Sequence, residues 1–147
     1  MLEFNKIKSL GSGKGTESGI YCVFDDDMNF FRIALFKSST RKWYDNSPEH
    51  KMIPANQITH YAMLMSYADI KSNVDVEKIF EKNGLVKGSP DKKKVNCVVF
   101  DPEYSTLNVA TFVRGLSDDR FKYRDETYGE TYEVRAPAYY IELPDRP

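Results

Sequence analysis

Along the first third of the chain, apolar and polar positions alternate. In residues 30–36, Phe31, Ile33 and Leu35 fall on one face and Phe30, Arg32, Ala34 and Phe36 on the other, the period of a half-buried strand. Residues 20–24 form a shorter apolar run. Between the two lies Asp25-Asp26-Asp27-Met28-Asn29, which is turn chemistry: Asp and Asn side chains bond nearby backbone and tolerate unusual φ. The spacing predicts a β-hairpin over residues 20–37. Residues 2–8 fit a preceding strand, although Phe4, Ile7 and Leu10 also suit a helical turn.

After Pro54 the period changes. Ile58, Tyr61, Ala62, Met65 and Ala68 recur at intervals of three and four, which predicts an amphipathic helix of about four turns. A second, shorter helix is expected to follow. Asn73 or Asp75 is its candidate cap, Val76, Ile79 and Phe80 its inner stripe, and Asn83-Gly84 its stop.

Alternation then returns. Val95, Cys97 and Val99 oppose Lys94, Asn96 and Val98; Asp101-Pro102-Glu103-Tyr104-Ser105 reads as a turn; Leu107, Val109, Thr111 and Val113 form the returning strand. Residues 115–130 read as a long loop or a twisted ribbon. Residues 131–143 look extended, with Pro137 placing them at an edge or bulge. No internal repeat and no dividing linker stands out. The expected fold is α+β: one mostly antiparallel sheet built from N-terminal and C-terminal strands, with two central helices on one face. Its 147 residues are expected as a single domain, 1–147.

Composition narrows the function classes. At 41% hydrophobic and 29% charged residues the chain is too apolar for disorder, and a chain of this length needs neither metal nor disulfide to hold a core. No apolar run approaches a membrane span, and Glu3, Lys6 and Lys8 interrupt the first ten residues, so neither membrane nor secretory signal is expected. Cys22 and Cys97, both in β-like stretches, read as buried free thiols, consistent with a cytoplasmic location. The net charge of −1 removes the simplest argument for a polyanionic partner. The excess is aromatic: ten Tyr, nine Phe and one Trp, residues that supply contact area at low entropic cost.

One motif invites a chemical reading. Gly11-Ser12-Gly13-Lys14-Gly15-Thr16 resembles the phosphate loop of adenylate kinases, which also reads GSGKGT. That resemblance covers six residues and implies backbone N–H groups cradling phosphates at a helix N-terminus. The complete motif needs a glycine where Lys8 stands and a helix afterwards, whereas Glu17-Ser18-Gly19-Ile20-Tyr21-Cys22-Val23 reads as strand. The segment is therefore read as a glycine-rich turn. Asp25, Asp26 and Asp27 lack the alternating spacing of a calcium loop and read as a hairpin tip. His60 has no identifiable nucleophile beside it. No catalytic residue, cofactor or metal ligand is expected.

The candidate contact residues are Arg32, Arg41, Lys42, Trp43 and Tyr44, where basic and aromatic side chains mix, and Tyr123, Arg124 and Tyr128 in the Tyr-rich segment from Tyr123 through Tyr140. Alternation in Arg120-Phe121-Lys122-Tyr123-Arg124 puts the cations on one face and the aromatics on the other. The preferred function is a non-catalytic module binding a protein partner: an inhibitor, an adaptor or an immunity-type protein, with viral anti-defence proteins in the same class. A single-stranded nucleic-acid binder is the alternative, since basic groups neutralise phosphates while aromatic faces stack on bases. A small nucleotide-binding protein or enzyme is a third.

Overall fold

The computed structural model describes residues 1–7, 17–72, 74–125 and 128–147. The loop resembling a phosphate site and the candidate cap Asn73 lie outside the described residues. The described chain divides into two compact units: Glu3–Asn83 with Pro147, the N-terminal unit, and Met1–Leu2 with Gly84–Arg146, the C-terminal unit.

The N-terminal unit contains β1 (Asn5–Lys6), β2 (Gly19–Asp25), β3 (Phe30–Lys37), β4 (Lys42–Asp45), β5 (Met52–Ile53) and β6 (Ile58–Ser66). They form one antiparallel sheet in the order β1-β6-β2-β3-β4-β5. Two short helices follow, α1 (Tyr67–Lys71) and α2 (Val76–Lys82). The C-terminal unit contains β7 (Val86–Gly88), β8 (Lys94–Asp101), β9 (Thr106–Arg114), β10 (Asp119–Arg124), β11 (Thr131–Arg135) and β12 (Ala138–Glu142), ordered β11-β10-β9-β8-β12-β7, again antiparallel.

The α+β expectation is therefore overturned: the chain makes two six-stranded sheets, not one sheet under two central helices. The difference lies after Pro54, where a four-turn helix was expected. Residues 58–66 are the strand β6, which pairs with β2 through two irregularities. Ile58 faces Asp25 and His60 faces Phe24; Met63 faces Tyr21 and Met65 faces Ile20. Thr59 and Leu64 are thus inserted. Each β-bulge resets which side chains point inward, so Ile58 and Tyr61 reach one apolar cluster at a spacing of three. Bulged β periodicity here imitates helical periodicity.

The shorter helix α2 forms where expected. Asp75 caps it by accepting the Glu77 N–H at 3.1 Å, Ile79 and Phe80 are buried, and the chain leaves through Asn83 and Gly84, the latter at φ 93°. Val76, assigned to the inner stripe, is exposed. Both central hairpins, β2–β3 and β8–β9, are present as read.

The two sheets follow one plan. Order and direction match strand for strand, and so does register: residues 19–37 map onto 95–113, since Asp25 faces Phe30 as Asp101 faces Thr106. Val23, Phe24, Asp25, Ala34 and Phe36 recur as Val99, Phe100, Asp101, Ala110 and Phe112. Trp43, opposite Phe36, has its counterpart in Phe121, opposite Phe112. Ile53 corresponds to Val134, and Tyr61 opposite Val23 corresponds to Tyr140 opposite Val99. Ring contacts repeat as well. Phe36–Trp43 and Phe112–Phe121 centroids lie 4.8 and 5.0 Å apart; Trp43–Tyr61 and Phe121–Tyr140 lie 6.0 and 5.6 Å apart. No internal repeat stood out along the sequence, but the pairing makes one plain.

In each unit these residues make the core. Tyr21, Val23, Ala34, Phe36, Trp43, Ile53 and Ile58 cluster in one; Cys97, Val99, Ala110, Phe112, Phe121, Val134 and Ala138 cluster in the other, joined by Tyr123. Each central hairpin also buries its last strand carboxylate. Asp25 accepts the Met28 N–H at 3.1 Å and the Arg32 guanidinium at 3.4 Å; Asp101 accepts the Glu103 N–H at 3.0 Å and the Tyr123 hydroxyl at 2.7 Å. The turns close on Asn29 and Ser105, at φ 56° and 54°. A buried carboxylate stays in place only when such donors replace its lost hydration.

Candidate functional site

Of the basic-aromatic candidates in the N-terminal unit, Arg32 lies beside the buried Asp25, its side chain 16% exposed. Arg41 is exposed at φ 54° in the turn between β3 and β4, and Lys42 is exposed at the start of β4. The Trp43 ring is completely buried among Tyr21, Phe36 and Tyr61, and its Nε1 finds no hydrogen-bond partner among the described residues. Tyr44 is half-buried; its hydroxyl pairs with Thr40 at 3.1 Å, and the Lys37 ammonium stands 4.8 Å from its ring centre. Arg41 and Lys42 border a shallow depression of about 460 Å³ completed by Thr40, Met52, Ile53, Pro54 and Ala55.

The C-terminal candidates gather at one end of their sheet. Tyr123 and Tyr132 are cross-strand partners on β10 and β11, next along the same inward face after the buried pair Phe121 and Val134. Their rings stack at 5.4 Å with 24° between planes. Tyr104, from the β8–β9 turn, meets Tyr132 edge-on at 5.2 Å and remains 53% exposed. Tyr128, in the connection between β10 and β11, is 77% exposed, with its N–H donated to Asp125. The core row therefore continues outward into rings that meet solvent.

Each phenol in the stack is held by a carboxylate. Tyr123 donates to Asp101, and Tyr132 donates to Glu130 at 3.0 Å. Burial first, and then the bond to Asp101, raises the Tyr123 phenol well above its ordinary value. The bond to Glu130, assisted by burial, pushes Tyr132 up to about 12. Both rings therefore stay neutral at any physiological pH.

Arg124, the remaining candidate, projects from the opposite face of β10, where its Nε donates to the Gly129 carbonyl at 3.0 Å. Gly129 itself sits at φ 69°, and a Cβ there would come within 3.0 Å of the guanidinium. On that outer face the alternation of residues 120–124 is as the sequence implied. Its cations are engaged: Arg120 with Asp118 and Glu133, Lys122 with Glu133, Arg135 with Asp118.

Tyr132 lies within the Tyr-rich segment 123–140 that the sequence marked as a contact surface, although it was not named there, whereas Tyr104, in the turn of residues 101–105, was not marked.

His60 Nδ1 pairs with the Thr59 hydroxyl at 3.0 Å and His50 Nδ1 with the Asp45 carbonyl at 3.3 Å. Cys22 and Cys97 are free and buried, and burial raises both thiols, Cys97 to about 12. Among the described residues no group of three His, Cys, Asp or Glu is placed to hold a metal, and no helix is long and apolar enough to cross a membrane. Comparison with protein-family models, with curated proteins and with solved structures finds no match to the chain.

Proposed function

We propose that this chain is a non-catalytic interaction module that binds a protein partner through the tyrosine end of its C-terminal unit. One observation carries the reading. The same sheet plan is built in the N-terminal unit without any of these tyrosines: Met28 stands at the position of Tyr104, Asp45 at that of Tyr123 and Lys51 at that of Tyr132. The sheet plan is built there without an aromatic ring at the position of Tyr104, so the exposed rings of Tyr104 and Tyr128 call for another explanation. Large aromatic side chains, partly exposed yet pinned by neighbours, are the residues that anchor protein interfaces. Inhibitors, adaptors and immunity-type proteins, viral anti-defence proteins among them, use such surfaces.

Less supports a single-stranded nucleic-acid binder. Trp43 is inside the core and Lys37 already lies against Tyr44, so neither ring is presented for a base to stack on.

The test is capture from native lysate by the immobilised chain, read by mass spectrometry, against a Tyr104→Ala, Tyr128→Ala variant. Proteins retained by the parent and lost by a variant with unchanged circular dichroism support the reading. Identical capture by both overturns it.

A further inference from the structure

The geometry points to a basic protein segment, one bearing arginine or lysine side chains, as the ligand of the Tyr104–Tyr132 face. This rests on the interaction-module reading and adds the chemistry of the partner. The first support is where the phenol hydroxyls go. Tyr123 and Tyr132 spend their donors on Asp101 and Glu130, so what the cluster offers a visitor is ring surface backed by carboxylate charge. Ring faces attract cations through their quadrupole, and a guanidinium stacks on them without losing its remaining donors.

The second support is the sign of the surroundings. Glu103 is exposed in the same turn as Tyr104; Glu130 is exposed and bonded to Tyr132; Asp125 is half-buried beside the Tyr128 N–H. Arg124 leaves from the other face of β10. A cationic side chain arriving over Tyr104 therefore meets carboxylates at the rim, whereas a polyanion meets repulsion. The N-terminal unit offers no equivalent: Lys51 occupies the position of Tyr132, its ammonium 3.3 Å from Glu49, and Met28 that of Tyr104.

Four synthetic peptides of equal length test this on the full ¹⁵N-labelled chain: one arginine-rich, one with lysine for arginine, one with glutamate for arginine, and one neutral and leucine-rich. The arginine peptide is expected to shift the amides of Tyr104, Gly129 and Tyr132, with affinity falling as salt rises. Tyr104→Ala is expected to weaken it about three- to fivefold, the loss of one exposed cation–π contact. Tyr104→Phe keeps the ring and is expected to bind as the parent does, which separates ring loss from misfolding. Shifts at this face from the leucine or glutamate peptide alone leave the module reading standing and overturn the basic-segment inference. Shifts from the arginine peptide confined to residues 26–28 overturn the assignment of the site. Silence from all four overturns the basic-segment inference, while the module reading stands or falls on the capture experiment.

Discussion

The Tyr123 hydroxyl donates to the buried carboxylate of Asp101 at 2.7 Å, and so ties β10 to the turn that carries Tyr104. Removing only that hydroxyl, with Tyr123→Phe, leaves one oxygen of a buried carboxylate without its donor. A loss of about 1–3 kcal/mol is expected, measured as a lowered urea midpoint at unchanged slope. An unchanged midpoint would mean that water replaces the phenol and that the turn does not depend on it.

Alkaline pH is expected to destabilise the fold. Burial raises Tyr21 from 10.0 to about 12 and Cys97 from 9.0 to about 12, and it raises Cys22 as well. Each group keeps its proton to higher pH in the folded chain than in the unfolded one. The stability this lends is complete below about pH 9 and is lost as pH rises toward the folded values, because the unfolded chain releases protons first. Urea midpoints taken from pH 8 to pH 11 should therefore fall. A flat or rising series would show that these groups are not protected. At pH 8 both thiols should resist a thiol reagent until denaturant is added.

Trp43 gives a direct comparison between the two sheets. Its counterpart is Phe121, and its Nε1 has no partner among the described residues to lose. Trp43→Ala is expected to cost about 3–5 kcal/mol, as a large cavity does. Trp43→Phe should cost less than half of that, since the plan accepts Phe at this position in the other unit. Equal losses for the two variants would show that the two cores are not interchangeable at this point.

Gly19 is the residue at which β2 meets the end of β6. A Cβ there would stand 2.4 Å from the Met65 carbonyl oxygen, which is backbone and has little room to move. Gly19→Ala should cost about 1–3 kcal/mol through overpacking. Thermal unfolding followed by Trp43 fluorescence reads it in the unit concerned. A variant as stable as the parent would mean that the strand end shifts freely.

Local chemistry was enough for the two central hairpins. Their turns are spelled by Asp25 through Asn29 and Asp101 through Ser105, and their strands by alternation, all within about twenty residues of chain. The same holds for α2, whose cap Asp75 and stop Asn83-Gly84 lie next to it. The face separation of Arg120, Lys122 and Arg124 from Phe121 and Tyr123 was also legible, because period two needs no partner to be read.

Three features depended on contacts distant in sequence. Residues 58–66 became a strand because β2 supplies a long-range partner, and the two bulges in that pairing disguised its period. Trp43 went inward because its cross-strand neighbours, Phe36 and Ile53, belong to a core row, which a run of basic and aromatic residues does not reveal. The repeat of one sheet plan is carried by register and buried positions, while most exposed positions differ between the units. Register and the places of burial recur although the side chains filling them differ, Tyr21 in one core standing where Cys97 stands in the other. The hairpins were therefore legible in the sequence alone, whereas long-range pairing in the tertiary structure decided which rings are core and which remain at the surface.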